Sequence, residues 1–315
     1  MLDTTPYANS VFEQPWWLDT VAPGKWGEVV VKKDGCVIAR LPYVFDGRKI
    51  KNPKMTQTLG IWMDDSLKEY QRGNSHLNHQ KSVIFELIER LPKYKSIKIT
   101  LDSSVAYVLP FRWKGFRIEP SFSYRLENLQ SILDFDEKIA NKTVQRHIKA
   151  AEKVVVVVDN SADGINKMIE LSSMTFARQG RKIPHSIEFY ERVMRSSIEH
   201  GCGQIMLAID HKGIVHSGAF FLFDEKVCYY LIGGQNVDYK SDGSQNLILK
   251  KGIEFAKEKS QSFDFEGSMV EGIENFFRQY GGRQIVNYTI IKQSLIDDCI
   301  DMIKPRIKKL IGYKI

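Results

Sequence analysis

The order of strands and helices that the sequence predicts after residue 153 constrains the fold more than any other feature. Residue periodicity predicts a β-branched strand, two helices, three strands, a helix, a strand, a helix and a last strand. These elements span residues 154–158, 162–179, 186–200, 203–210, 214–223, 226–233, 244–259, 262–266, 271–280 and 284–292. Strands in hairpin succession followed by a strand–helix–strand crossover predict a mixed, mostly antiparallel sheet with helices on both faces.

The rest of the chain has room for a second folded domain. Its 315 residues exceed the size at which one hydrophobic core usually stops growing, and 43% hydrophobic with 26% charged residues is typical of a folded protein. A hairpin at 28–44 that turns at Asp34-Gly35, a helix at 78–91, and strands at 96–101 and 123–126 predict sheet and helix there too. We therefore predict an α/β (α+β) protein with domains at 1–135 and 136–292 and a basic amphipathic helix at 293–315.

Several classes of protein are disfavoured by the sequence. The longest apolar stretches are far shorter than the roughly 20 residues that a bilayer-spanning helix needs. The first ten residues carry no basic residue and no apolar run follows them, so we expect a cytoplasmic protein without a secretory signal. The four cysteines are far apart and form no C-x-x-C pair, so no metal site is expected.

The basic charge balance indicates an anionic partner. The formal net charge is +7, which suits a nucleotide cofactor, a nucleotide sugar, RNA or an anionic membrane face and does not choose among them. In the last 23 residues an isoleucine stripe and a basic face predict a packing helix or, alternatively, peripheral contact with an anionic membrane surface. The sequence leaves the oligomeric state open.

Three segments together resemble one protein family. Residues 263–268 (FDFEGS), followed by 271–273 (EGI) and 276–282 (FFRQYGG), resemble the closing segment of FemAB-like proteins of the GNAT (GCN5-related N-acetyltransferase) superfamily. Residues 146–154 (RHIKAAEKV) resemble the family's basic helix before the first strand of its second domain, and residues 12–17 (FEQPWW) resemble its aromatic opening. The resemblance spans most of the chain, from about residue 12 to residue 292.

The resemblance implies two tandem GNAT-like units and transfer of an acyl group to an amine. The donor would be a thioester such as acyl-CoA (acetyl-CoA), or an aminoacyl-tRNA. Peptidoglycan-acting members carry a long helical hairpin, for which no segment here is long enough. Acyl-CoA-dependent N-acylation, with an amino sugar of a cell-envelope or polysaccharide precursor as acceptor, is therefore the leading hypothesis. A FemX-type tRNA-dependent transferase and a non-catalytic binding module are the alternatives.

The resemblance also directs attention to one loop. GNAT proteins hold the pyrophosphate of the cofactor on backbone N–H groups where a strand gives way to a helix, a place that favours anions. The matching residues are Lys240, Ser241, Gly243 and Ser244. The family's leading Gln or Arg is absent unless Lys240 replaces it, and Asp242 is unfavourable beside a phosphate. A capped helix start that binds nothing is the alternative.

Two carboxylates are the candidate catalytic bases. Attack by an amine requires it to lose a proton to a group within hydrogen-bond reach. Asp264 and Glu266 are two residues apart in a predicted strand and so would share one face, and their mutual repulsion would raise one pKa. One would then act as the base while the other binds the acceptor. The alternative is that they cap the next helix or pair with an arginine.

The remaining candidate residues follow from the family pattern and from charge. GNAT enzymes use a tyrosine to protonate the leaving thiolate; Phe277 stands at the matching position here, which leaves Tyr280 as the candidate acid. Arginine binds phosphate and carboxylate bidentately, so a cationic rim for an anionic substrate is predicted, with a merely solvated helix face as the alternative. The substrate-binding candidates are Arg146, Lys149, Arg178, Arg181, His185, which is otherwise structural, and Ser268 of the Gly-Ser turn.

Overall fold

The chain divides into two compact units. The computed structural model describes residues 4–69, 72–132, 141–151, 154–266, 269, 271–294, 296–297 and 303. The first unit comprises Met1–Ser121 with Val286–Ile315, and the second comprises Phe122–Ile285. One division falls within the strand Arg117–Leu126 and the other within the strand Arg283–Lys292. These bounds therefore differ from the limits predicted after residues 135 and 292, which stay predictions. Most of the predicted C-terminal helix, with Cys299, lies outside the described residues.

The first unit is built around a sheet whose strands run in the order β1-β2-β3-β5-β12, with β4 paired to β2. Only β3 and β5 are parallel among the pairs described in this unit. Its elements are α1 (Pro15–Val21), β1 (Trp26–Lys33), β2 (Cys36–Asp46), β3 (Lys49–Lys51), β4 (Trp62–Met63), α2 (Ser75–Arg90), β5 (Ser96–Thr100), α3 (Leu109–Trp113), the start of β6 (Arg117–Leu126) and most of β12 (Arg283–Lys292).

The hairpin predicted at 28–44 is confirmed. Strands β1 and β2 pair from Trp26↔Val44 to Lys33↔Cys36. Asp34 and Gly35, at the turn, have φ angles of 51° and 83°, the left-handed values that a tight hairpin turn requires. Helix α2 is confirmed as well, and it ends before Pro92, which cannot continue a helix.

A buried carboxyl group lies at the centre of the first unit. Glu13 is 0% exposed, and its side chain accepts hydrogen bonds from the backbone N–H groups of Asn9 (3.0 Å) and Gly60 (3.1 Å). Burial, reinforced by the negative charge of Asp102, raises the pKa of Glu13 to about 7. The folded state therefore binds a proton here more tightly than the unfolded chain does.

This proton linkage predicts a pH dependence of stability. The pKa of Glu13 is raised from 4.5 to about 7 in the folded state. The stability that protonated Glu13 contributes is therefore fully present below pH 4.5 and is lost as the pH rises through 7. We expect the free energy of unfolding to fall by about 3 kcal/mol more in the wild type than in Glu13→Gln over that range. Denaturant unfolding at pH 4.5 to 7.5 measures this difference, and parallel curves for the two proteins would contradict it.

The second unit carries the mixed, mostly antiparallel sheet that the sequence predicts. Its strands run in the order β6-β11-β10-β9-β8-β7, and β10 with β11 is the only parallel pair among the described residues of this unit. Its elements are the end of β6, α4 (Lys142–Ala150), β7 (Val154–Val158), α5 (Ala162–Arg178), α6 (Ile187–Glu199), β8 (Gly203–Asp210), β9 (Val215–Phe223), β10 (Val227–Gln235), α7 (Ser244–Lys259), β11 (Ser262–Asp264), α8 (Glu271–Arg278) and the start of β12.

Helices cover both faces of this sheet, and glycines permit their close approach. A Cβ at Gly252 of α7 would overlap the ring of Phe221 on β9, whereas a Cβ at Gly234 of β10 would overlap the backbone of α5 at Leu171. An aromatic core fills the space under α7 and α8. In the part of the chain that the structure describes, no helix is long and apolar enough to cross a membrane.

Candidate active site

Two parallel strands separate at the centre of the second unit. β10 and β11 pair from Val227↔Ser262 to Tyr229↔Asp264, after which β11 ends and β10 continues to Gln235 through a bulge that follows Tyr230. We call this opening the β10–β11 fork. Backbone groups beyond it are not satisfied by pairing between these two strands, so the fork is a place where a ligand can bind main-chain donors and acceptors.

Glu266 lies directly after the shorter strand of the fork. The prediction that it shares a strand face with Asp264 is wrong, because β11 ends at Asp264 and Glu266 has a left-handed φ of 56°. Its side chain is partly exposed, yet Oε1 is inaccessible and has no hydrogen-bond partner among the described residues. Burial, with a contribution from the charge of Asp264, raises the pKa of Glu266 well above its ordinary value. A carboxylate with a raised pKa is a stronger base.

Asp264 is held by other residues. It is 0% exposed, and its Oδ2 accepts hydrogen bonds from Nε (3.0 Å) and Nη2 (2.9 Å) of Arg125. Its Oδ1 accepts from the Ser123 hydroxyl and from the backbone N–H of Glu266 (2.7 Å). Each carboxylate oxygen thus has two donors, and both nitrogens of Arg125 bind the same oxygen. These contacts favour the alternative interpretation, in which Asp264 pairs with an arginine; its role as a base stays a prediction.

Tyr280 belongs to the aromatic core. It is 0% exposed, its hydroxyl accepts a hydrogen bond from Nδ2 of Asn246 (2.7 Å), and its ring lies 5.5 Å from that of Phe265. Burial raises the pKa of Tyr280 above its ordinary value, so it retains the proton that a general acid must donate. Its burial argues for a packing role, because a general acid must reach the leaving group.

A polar cluster at the fork was not predicted from the sequence. Nε2 of Gln245 donates to the hydroxyl of Tyr230 (2.8 Å), and burial raises the pKa of this tyrosine above its ordinary value. Oε1 of Gln245 and Oγ of Ser244 are inaccessible and lack partners within the described ranges. Unpaired buried polar groups cost about 1–3 kcal/mol each, so a polar ligand or water would stabilise this cluster. The sequence had indicated a phosphate-binding loop or a helix cap at this helix start, and not the contact between Gln245 and Tyr230.

The start of α7 does not fit the pyrophosphate of CoA. Oδ1 of Asp242 accepts a hydrogen bond from the backbone N–H of Ser244 (2.9 Å), so the protein's own carboxylate lies where a helix N-terminus favours an anion. Gly243 has a φ of 81°, and a Cβ there would overlap the carbonyl oxygen of His147 in α4. A pyrophosphate at the N–H of Ser244 would meet the negative charge of Asp242. The predicted phosphate-binding role of Gly243 and Ser244 is therefore not favoured by their surroundings.

Two of the helices that carry predicted cations pack beside the segment that leads into α7. We call residues 236–243 the β10–α7 connection. Helix α4 packs on it through the carbonyl of His147 beside Gly243. The last turns of α5 lie next to its other end, where Oγ1 of Thr175 accepts from the backbone N–H of Gln235 (2.9 Å). The exposed cations on these two flanks, together the cationic rim, are Arg146, Lys149, Arg178 and Arg181.

The other predicted site residues are dispersed. Lys240 and Ser241 are exposed within the β10–α7 connection. His185 is partly buried, with its ring 5.0 Å from that of Phe189, which fits a structural position at the start of α6. Ser268 lies outside the described residues. Within the described part of the chain no cluster of His, Cys, Asp and Glu is suited to hold a metal ion.

Comparisons with known proteins agree with this architecture. Residues 140–278 match the family described as Acetyltransferase (GNAT) domain, and no curated protein matches the chain. The crystal structure of FemX superposes with a TM-score of 0.68 at 15% identity, covering 91% of this chain and 93% of that one. The C-terminal domain of a putative lysylphosphatidylglycerol synthetase from Agrobacterium fabrum gives 0.57 at 10% identity, with 89% of each chain covered. A tandem GNAT protein from the clavulanic acid pathway gives 0.51 at 9% identity, covering 86% and 83%.

Fold and family match together define the class. Residues 140–278, within the second unit, match a GNAT acetyltransferase domain, and this match supports a transferase. More particularly, the fold of the chain is similar to that of FemX and of a tandem GNAT protein, which is the fold that the resemblance had implied. The identities to solved structures are low, so those likenesses show the fold alone.

Proposed function

We propose that this protein transfers an aminoacyl group from a tRNA to an amino group. The observation that carries the proposal is the Asp242 carboxylate at the start of α7, which disfavours a donor anchored there by its pyrophosphate. An aminoacyl ester on tRNA needs no such anchor, because the polynucleotide offers many phosphates at other places. A cytoplasmic location, as expected from the sequence, suits this donor.

The cationic rim supports a polyanionic donor. Helices α4 and α5 pack beside the β10–α7 connection, the exposed Arg146, Lys149, Arg178 and Arg181 lie in or just after these helices, and the whole chain carries a net charge of +7. Phosphate contacts of this kind contribute most of the affinity for nucleic acid and make that affinity dependent on salt. They also leave the terminal ester free to enter the β10–β11 fork.

Glu266 is the proposed base of the reaction. Its carboxylate removes a proton from the acceptor ammonium or amine, and the amine nitrogen attacks the carbonyl carbon of the ester. The C–O bond to the terminal ribose then breaks, an amide forms, and the ribose hydroxyl leaves with one proton. The raised pKa of Glu266 suits it to accept a proton near neutral pH.

A second candidate donor is acyl-CoA. The match to the acetyltransferase domain and the presence of the fork favour it, since a thioester with its pantetheine arm would fit between separated strands. Its pyrophosphate would then have to lie away from the start of α7. The acceptor class that we propose with either donor is an amine, such as an amino sugar of an envelope polysaccharide precursor.

Donor binding separates the two candidates. We expect aminoacyl-tRNA to bind in filter assays with an affinity that falls steeply between 50 and 200 mM salt, on the order of tenfold or more. The double variant R146A/K149A should weaken binding and flatten the salt dependence, whereas K32A/K33A, which removes two exposed charges from β1, should not. Absent or salt-insensitive tRNA binding, combined with calorimetric binding of acetyl-CoA at micromolar concentration, would instead establish the second candidate.

A further inference from the structure

A buried histidine stands behind the carboxylate at the start of α7. His216 lies near the beginning of β9 and is 6% exposed. Its Nδ1 is 2.6 Å from Oδ2 of Asp242, and its Nε2 is 3.4 Å from Oδ2 of Asp210 at the end of β8. Its ring stacks on Tyr239 at 3.7 Å between centroids, with 22° between the planes. These residues form a chain of contacts outside the fork.

The contacts fix both oxygens of Asp242. An ionised carboxylate only accepts hydrogen bonds, so Nδ1–H of His216 donates to Oδ2, while Oδ1 accepts from Ser244 N–H at 2.9 Å. The histidine in turn cannot swing away, because Tyr239 stacks on one face of its ring and Asp210 lies at its other nitrogen. Asp210 is itself held by the backbone N–H groups of Lys212 (2.9 Å) and Ile214 (2.8 Å).

We infer that Asp242, positioned by His216, is a specificity-determining residue that keeps phosphate-anchored donors away from the start of α7. This rests on the proposed function and extends it, because the Asp242 carboxylate that supports that function is itself held in place by His216. A flexible surface carboxylate would move aside for a phosphate, but this one is bound at both oxygens and lies on the N–H group that a phosphate would need. Donor choice is thus determined in part by a side chain of the protein that takes the place of the donor's anion.

Removing the carboxylate should create the missing phosphate site. We expect Asp242→Ala to bind inorganic pyrophosphate and CoA at least tenfold more tightly than the wild type in isothermal titration calorimetry, because a repelling charge goes and Ser244 N–H becomes available. Asp242→Asn removes the charge but can keep the cap, so its affinity should lie between those of the wild type and Asp242→Ala. His216→Phe, which keeps a ring to stack on Tyr239, should raise the affinity about threefold or more by releasing Asp242.

Asp238→Ala is the matched control. It removes the same charge from an exposed position of the same connection and leaves the cap of α7 intact, so we expect less than a threefold change. Circular dichroism and thermal unfolding check that each variant is folded. If Asp242→Ala or His216→Phe does not fold, the affinity of Asp242→Asn for pyrophosphate tests the inference. Equal pyrophosphate affinities for the Asp242 variants and Asp238→Ala, or tight binding by the wild type, would overturn the inference. Failure of the wild-type protein to discharge aminoacyl-tRNA would overturn the proposed function, but it would not change the measured effect of Asp242 on pyrophosphate affinity.

Discussion

Glu266→Gln is expected to lower the rate of acyl transfer by about 10²- to 10⁴-fold while leaving the fold intact. The amide has nearly the shape of the carboxyl group but cannot accept the proton of the attacking amine. In the wild type, kcat/KM should fall as the pH is lowered through the raised pKa of Glu266, because only the deprotonated carboxylate acts as a base. Steady-state rates between pH 5 and 9 measure both effects.

Glu271→Gln is the control for this variant. It removes the same charge from an exposed position at the start of α8, so its activity should stay within about twofold of the wild type. A Glu266→Gln protein with an unchanged rate and an unchanged pH profile would contradict the assignment of the base.

Asp264→Asn is expected to destabilise the protein by about 3–5 kcal/mol. The substitution breaks a buried ion pair and leaves the guanidinium of Arg125, which is 13% exposed at its side chain, without its carboxylate. The midpoint of denaturant unfolding should fall accordingly, and any loss of activity should follow the loss of folded protein.

The double variant R125M/D264L provides the comparison for that prediction. Replacing both charges by apolar side chains of similar volume removes the uncompensated charge, so most of the lost stability should return. An Asp264→Asn protein that unfolds like the wild type but has lost its activity would show instead that Asp264 acts in the reaction.

Local sequence signals were sufficient for much of the fold. The turn at Asp34-Gly35 was predicted because two adjacent residues determine it, and α2 because its apolar residues recur at helical spacing. The succession of strands and helices along the second unit followed from similar patterns. Each of these features depends on residues that are close in the sequence.

The site was less predictable because its contacts join distant residues. Arg125 and Asp264 are separated by 139 positions, and no local pattern indicates that they meet. Periodicity also placed Glu266 on a strand, whereas the strand ends two residues earlier, at Asp264, and Glu266 has a left-handed φ. The bond between Tyr230 and Gln245 depends on the packing of α7 over β10, which composition and spacing do not reveal.

A competitive transfer assay tests the proposed donor most directly. Wild-type protein is incubated with glucosamine as the amine probe, a radiolabelled aminoacyl-tRNA and radiolabelled acetyl-CoA, and the label in each donor and in the amide product is followed. We predict that aminoacyl label leaves the tRNA and enters the amide, much more slowly with Glu266→Gln, while acetyl-CoA is not consumed. Consumption of acetyl-CoA with intact aminoacyl-tRNA would contradict this donor assignment.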